Sequence, residues 1–560
     1  MFPRLLFLSI IAIAASGHAA NSPAQTLDTA AASTASHGSV MGQIAASRLL
    51  SRGTFGPSLE AIDAAAVQSY DGWFAAQMAA RPSLLSPSVP NDQVAWYPIW
   101  MTNAVKGPDQ LRQRIAFGLS EIFVVSENGG PLAYMNRALA GYYDILATGA
   151  FTNYRTLIER ITLSVQMGRY LSMFRSDKAN PALNTHADEN YAREIMQLFS
   201  IGLAELNLDG TVKTDSSGSP KPTFSQSDVE ALARVFTGWA SAPAGNSLGE
   251  ASWQYDMDYS RPMVAYAEHH DTGSKSFLGV TIAAGGTPAT DLKTALDTIF
   301  NHPNVGPFIG KQLIQRLVTS NPSKAYVSRV ASVFNNDGRG VRGDLAAVVK
   351  AILTDPEATS VSAAAAASEG KLREPLLRLT HLWRAFDAAD SGGKVAAPLV
   401  LQDSLDTFAE APLQSPSVFN FFSPFYQRAG ALSAAGLVVP EFQITNENTL
   451  ILADNQNLTQ AYEFIDSRGS KHAGYQGYSE VGALNGASVL LRTSKWEGFA
   501  ATPAALIEKL NLVLMQGQMP GAMQNALISY VAGIPADTPW SRVVEAAELV
   551  IDSPQYAIQR

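Results

Sequence analysis

The stretch "NTHADENYAREIMQLFSIGL", residues 184–203, places four chemically capable groups close together: His186, Glu189, Arg193 and Glu194. An apolar run follows at once. On a helix turning about 100° per residue, His186, Glu189, Asn190, Arg193 and Gln197 share one face. Tyr191, Ile195, Leu198, Phe199 and Gly202 share the opposite one. Glu194 falls at the boundary, where partial burial would raise its pKa and suit it to act as an acid. Glu189 would stay ionised as base or nucleophile, Arg193 would hold an anionic substrate group, and His186 offers a ligand or an acid/base group. The same residues also have a plain structural use. Glu189 and Arg193 at i,i+4 steady a helix by about 0.2–0.5 kcal/mol, and Asp188 and Glu189 suit its N-terminal dipole.

A second cluster is "EHHDTG", residues 268–273, on an expected turn. Imidazole and carboxylate together suit Zn²⁺, Mn²⁺ or Fe²⁺, so His186, His270 and Asp271 form a candidate set for a divalent metal. Asp271 is also a candidate base. Neighbouring strand residues point to opposite faces, so His269 and His270 would not readily share one ion. The plainer alternative is a polar turn in which Asp271 bonds its own backbone. Carboxyl groups about 5–10 Å apart across a cleft would suit glycoside hydrolysis. A third cluster, "APLQSPSVFNFFSPFY" at 411–426, crowds Phe421, Phe422 and Tyr426 into a Pro-punctuated loop. These rings could stack on a sugar or a ligand cation, or plug a core. Other short matches fail on context. "GNSLG" lacks the flanking strand and helix of a nucleophile elbow, and Asp344 in "RGD" reads as a helix cap.

The elements that must carry these groups are mostly helical. The fold class expected is mainly α, a large multi-helix body with a small β-hairpin insertion. Leu111, Ile115, Leu119, Ile122 and Phe123 recur at helical spacing, as do Ile309, Leu313, Ile314 and Leu317. "GDLAAVVKAILTDP" starts at an Asp344 cap and stops before Pro356. Ser227 and Glu230 read as a capping box. Trp253, Tyr255, Met257 and Tyr259 alternate at strand spacing, which places a β insertion at about 250–285. A helical subregion is expected at about 445–560, within a single unit spanning 41–560.

The amino terminus reads as an export signal. Leu5–Ala15 is apolar, Arg4 precedes it, and Gly17 and Ala19 are small residues placed for cleavage. Residues 1–19 are therefore expected to be removed, and residues 20–40 to form a flexible leader. The apolar run is too short to span a bilayer, which takes about 20 residues, so no transmembrane anchor is expected after cleavage. The 560-residue chain has no cysteine, which excludes disulfides, thiolate metal sites and Cys nucleophiles. Its net charge of −9 argues against binding nucleic acid through a basic field.

Several segments in series resemble one bacterial exported family, the domain of unknown function numbered eighteen hundred. They include "LLSRGTFGPS", "LRQRIAFGLSEIFVVS", "ENYAREIMQLFSIGL", "HHDTGSKSFLG", "PFIGKQLIQRLV", "KLREPLLRL", "PLQSPSVFNFF" and "SPQYAIQR". The resemblance implies a mainly helical exported protein and brings no established activity. It also implies an exported phosphatase- or sulfatase-like protein as a partner. Gln197 stands where the family's helix motif carries Glu. Two functions follow from these readings. One is an envelope or periplasmic hydrolase with a carboxylate/His site, acting on a polymer or glycoconjugate. The other is a non-catalytic helical binding or assembly protein of the envelope.

Overall fold

The computed structural model describes residues 39–128, 130–245, 248–360, 369–395, 408–472 and 489–560. The expected signal peptide and almost all of the leader lie outside these residues. Helices dominate, accompanied by sheets of two or three short strands. One continuous hydrophobic cluster runs from Ala46 to Tyr556. Among the described residues, no helix is long and apolar enough to cross a membrane.

The helices begin where the local chemistry favours them. Asp344 accepts from the Ala347 amide at 3.2 Å, and the helix Leu345–Thr354 stops just before Pro356. The expected capping box is real but shifted by two residues. Ser225, with extended backbone, caps Gln226–Val235, and the Asp228 carboxylate accepts from the Ser225 amide at 2.7 Å. Ser227 lies inside the first turn instead.

Some helices depart from the amphipathic surface type. Every residue of Gln110–Ser120 is buried, and in Val305–Leu317 only Phe308 and Lys311 are partly open. Their polar side chains must therefore find partners inside the protein. Gln110 donates to the carbonyls of Ala104 and Gly107, both at 2.9 Å, and Arg114 donates to the Arg316 carbonyl at 2.6 Å. Val305–Leu317 crosses Lys324–Asn335 closely enough that a Cβ on Gly310 would lie 3.1 Å from Val330.

The β content differs in detail from expectation. The hairpin is present, with Lys275–Phe277 antiparallel to Val280–Ile282 around Leu278 and Gly279, both at positive φ. Trp239–Ala240 pairs with Val264–Ala265. Residues Glu250–Tyr255, however, form a helix rather than a strand. Its anchor is Trp253, which is buried and stacks on His269 at 3.8 Å; one such contact outweighs the alternation along the segment. A further pair, Lys371–Leu372 with Ile558–Gln559, ties the carboxyl-terminal segment to the middle of the chain.

Candidate active site

Of the groups singled out at 184–203, His186, Glu189 and Arg193 lie at the surface and Glu194 is buried. The helix is shorter than the pattern suggested, Asn190–Gln197, and His186 precedes it on an exposed segment beside Asp177 and Asp188. Glu189 accepts from Arg193 at 3.0 Å and from Gln226 at 2.8 Å. Asp271 is held by Arg234 in a two-pronged pair at 2.8 and 2.9 Å, which keeps its carboxyl below the usual range. Gln226 and Arg234 sit at opposite ends of one helix, about 12 Å apart along its axis. Glu189 and Asp271 thus belong to separate ion pairs, and the two clusters approach each other at Asp177, which lies 2.9 Å from His269 and lines one surface hollow with His186. His270 is buried, with Nδ1 2.9 Å from the Thr237 carbonyl and Nε2 3.2 Å from Asp291. His186, His270 and Asp271 do not assemble into a metal-binding group. Glu194 is buried as expected, and burial raises its pKa, but it is not among the residues lining the cleft described below.

The aromatic loop divides between core and surface. Phe421 and Phe422 are buried, and the Arg316 guanidinium lies over the Phe422 ring at 4.5 Å. Tyr426 is half-buried at the loop's end. Phe419 and Phe425 stay exposed and form one wall of a cleft of about 510 Å³. The opposite wall includes Gln197, Leu198, Gly202, Leu203 and Phe308. The carboxyl half of the first sequence cluster and the aromatic loop therefore meet, although the charged groups at 186–194 stand away from them.

Beneath this cleft lies a cluster of buried charge. Glu121, just beyond the Gln110–Ser120 helix, meets Arg316 at 3.2 Å and accepts from Asn420 at 3.3 Å. Asn420 adopts φ +67, a left-handed conformation that Asn tolerates, and this turns its amide toward Glu121. Lys371 lies 2.7 Å from Glu374, 3.1 Å from Glu441 and 2.9 Å from the Arg316 carbonyl. Glu410 accepts from the Leu376 amide at 3.1 Å. Glu374 and Glu410 are wholly enclosed. Glu121 is the one carboxylate among the residues lining the cleft.

The surroundings push these carboxyl groups apart in acidity. Burial raises Glu121 to about 7, with Arg316 opposing and the Glu374 charge adding. Burial also works against Glu374, yet Lys371 and Arg114 overcome it and hold that group below the ordinary range. Glu410 is raised well above its usual value by burial and by the charges of Glu374 and Glu121. The four glutamates outnumber Arg114, Arg316 and Lys371 by one, so a proton kept on Glu410 balances the centre. An acid near 7 beside an ionised carboxylate is an arrangement typical of acid–base sites.

The same centre holds the one group of potential metal ligands found among the described residues. One oxygen each from Glu121, Glu374 and Glu410 lie within 4.8 Å of one another. Oxygens across a Ca²⁺ ion are at most about 5 Å apart, so these three residues could hold a divalent cation. Lys371 already supplies positive charge at this point.

A buried carboxylate centre under an aromatic cleft, set on inward-facing polar helices, defines a helical protein with an enclosed acid site. The chain belongs to the family described as "Protein of unknown function (DUF1800)", whose model matches residues 48–558. No curated protein and no solved structure matches the chain. The segments that carried the resemblance converge on this centre: "LRQRIAFGLSEIF" supplies Arg114 and Glu121, "PFIGKQLIQRLV" supplies Arg316, "KLREPLLRL" supplies Lys371 and Glu374, and "PLQSPSVFNFF" supplies Asn420. The signal missed in the sequence was charge set inside apolar helical runs.

Proposed function

We propose that the protein is an exported hydrolase of the cell envelope, with Glu121 as its acid–base group. The observation that carries this reading is a carboxyl group with pKa about 7 in the lining of an aromatic cleft, beside the ionised Glu374. At neutral pH both forms of Glu121 are populated, so it can give a proton to a leaving oxygen and take one from the attacking water. Arg316 and Asn420 orient its Oε1. The substrate is a polymer or glycoconjugate whose apolar part enters the cleft, since the lining is richer in apolar side chains than in hydrogen-bonding groups. The signal peptide at 1–19 directs the rest of the chain to the envelope, where an exported phosphatase- or sulfatase-like protein is the proposed partner.

Glu121→Gln tests this reading on a panel of ester and glycoside substrates. Turnover should fall by about 100-fold or more, with the circular dichroism spectrum unchanged. Undiminished turnover in the variant would remove Glu121 from the reaction.

One observation favours the non-catalytic alternative, a binding or assembly protein. Leu203, Phe419 and Phe425 are each more than half exposed at the mouth of the cleft, as at sites that meet a partner. A stoichiometric protein partner together with no turnover on the panel would select this second reading.

A further inference from the structure

The cleft contains a cation with no countercharge. Lys311 lines it and makes no hydrogen bond or ion pair among the described residues. Burial lowers its pKa. The next residue, Gln312, is buried and lines the same cleft, and its Nε2 donor has no partner. Lys311 is partly open to the cleft, where an anion could pair with it, whereas the Gln312 donor is enclosed behind the wall. By contrast, Arg316, little more than one turn further along the same helix, is already committed to Glu121.

Most of the remaining lining is apolar, apart from the Glu121–Arg316 pair, Asn420, Gln197, Gln315 and Ser423. Leu203, Leu206, Val212, Phe308, Phe419 and Phe425 surround the volume. Leu203, Phe419 and Phe425 remain exposed to solvent although they are large and apolar. A volume of about 510 Å³ falls within the usual range for small-molecule sites, roughly 300–1,000 Å³.

We infer that the cleft binds a single-chain amphiphile with an anionic head: the head pairs with Lys311, and the chain lies against the Leu203, Phe308, Phe419 and Phe425 side chains. Apolar side chains outnumber polar ones in the lining, which favours an alkyl chain over a sugar chain. A small inorganic anion would leave the apolar walls uncovered. This names the substrate class of the cleft and rests on the hydrolase reading only in making the bound amphiphile a substrate.

Calorimetric titration of the full mature chain tests it, with laurate, dodecyl phosphate, dodecanol and acetate as probes. Laurate or dodecyl phosphate should bind at least about tenfold more tightly than dodecanol or acetate, and the tighter of the two identifies the head group as carboxylate or phosphate. Lys311→Met should weaken the anionic probes by about tenfold or more, as expected for losing a charge-assisted hydrogen bond, and Lys311→Arg should restore them. Acetate binding as well as laurate, or laurate binding equally to Lys311→Met and the parent, would overturn the inference. Normal laurate binding without turnover on any ester or glycoside would defeat the hydrolase reading alone. Turnover without binding of either anionic probe would defeat the amphiphile alone.

Discussion

Lys371 carries the largest share of the charge balance in the buried centre. Its ammonium meets Glu374, Glu441 and the Arg316 carbonyl, and the strong positive field of this arrangement keeps Glu374 ionised. Removing one partner of an enclosed pair leaves the other charge stranded. Lys371→Met should therefore cost about 3–5 kcal/mol in urea unfolding. Surface pairs such as Lys293 with Asp297 have no such leverage, because water screens them. A loss below about 1 kcal/mol for Lys371→Met would mean that the centre is wetter than its burial indicates.

The shape of the cleft depends on how neighbouring elements meet. Gly202 follows the Asn190–Gln197 helix at φ +70, and a Cβ there would lie 2.6 Å from the Phe308 ring on Val305–Leu317. Gly202→Ala should strain the backbone and push Phe308 into the cleft, at a cost of about 1–3 kcal/mol in thermal or urea unfolding. Laurate affinity should fall in parallel. The sequence showed this segment clearly as a helix followed by "SIGL", and it showed the aromatic loop as a cluster. The helical spacing of Leu111 to Phe123 and the Asp344 cap were equally legible, because such patterns are local. The meeting of the two walls was not, since Phe308 and Phe419 are far from Gly202 along the chain. At 184–189 the polar residues fit a helical wheel yet remain outside the helix. In Glu250–Tyr255, burial of Trp253 against His269 overrode a strand-like alternation.

The buried centre is a product of long-range closure across the whole molecule. Glu121 and Arg316 are separated by 195 residues, and the strand pair of Lys371–Leu372 with Ile558–Gln559 draws in the carboxyl-terminal segment. Gln559 then donates to the Leu317 carbonyl at 2.9 Å, closing the end of the helix that carries Arg316. No periodicity announces such partners, so the sequence reading weighted the adjacent charges at 186–194 instead. The centre also gives the molecule a definite response to pH. Glu121 titrates near 7 in the folded chain and near the ordinary glutamate value when unfolded. Between those values the folded state holds a proton that the unfolded state has lost. Stability from this group is therefore present at low pH and declines as pH rises toward 7. Asp552, which burial and Glu548 raise to about 8, adds a similar decline that the wild type and a Glu121 variant share.

The decisive measurement is urea unfolding of the wild type and Glu121→Gln from pH 4.5 to 8. Glutamine cannot ionise, so the variant lacks one source of the decline. Its stability relative to the wild type should rise by about 3 kcal/mol between pH 4.5 and 7 and level off above that. Two curves that stay parallel across this window would show that Glu121 titrates as an ordinary exposed carboxylate, and would contradict the buried acid at the foot of the cleft.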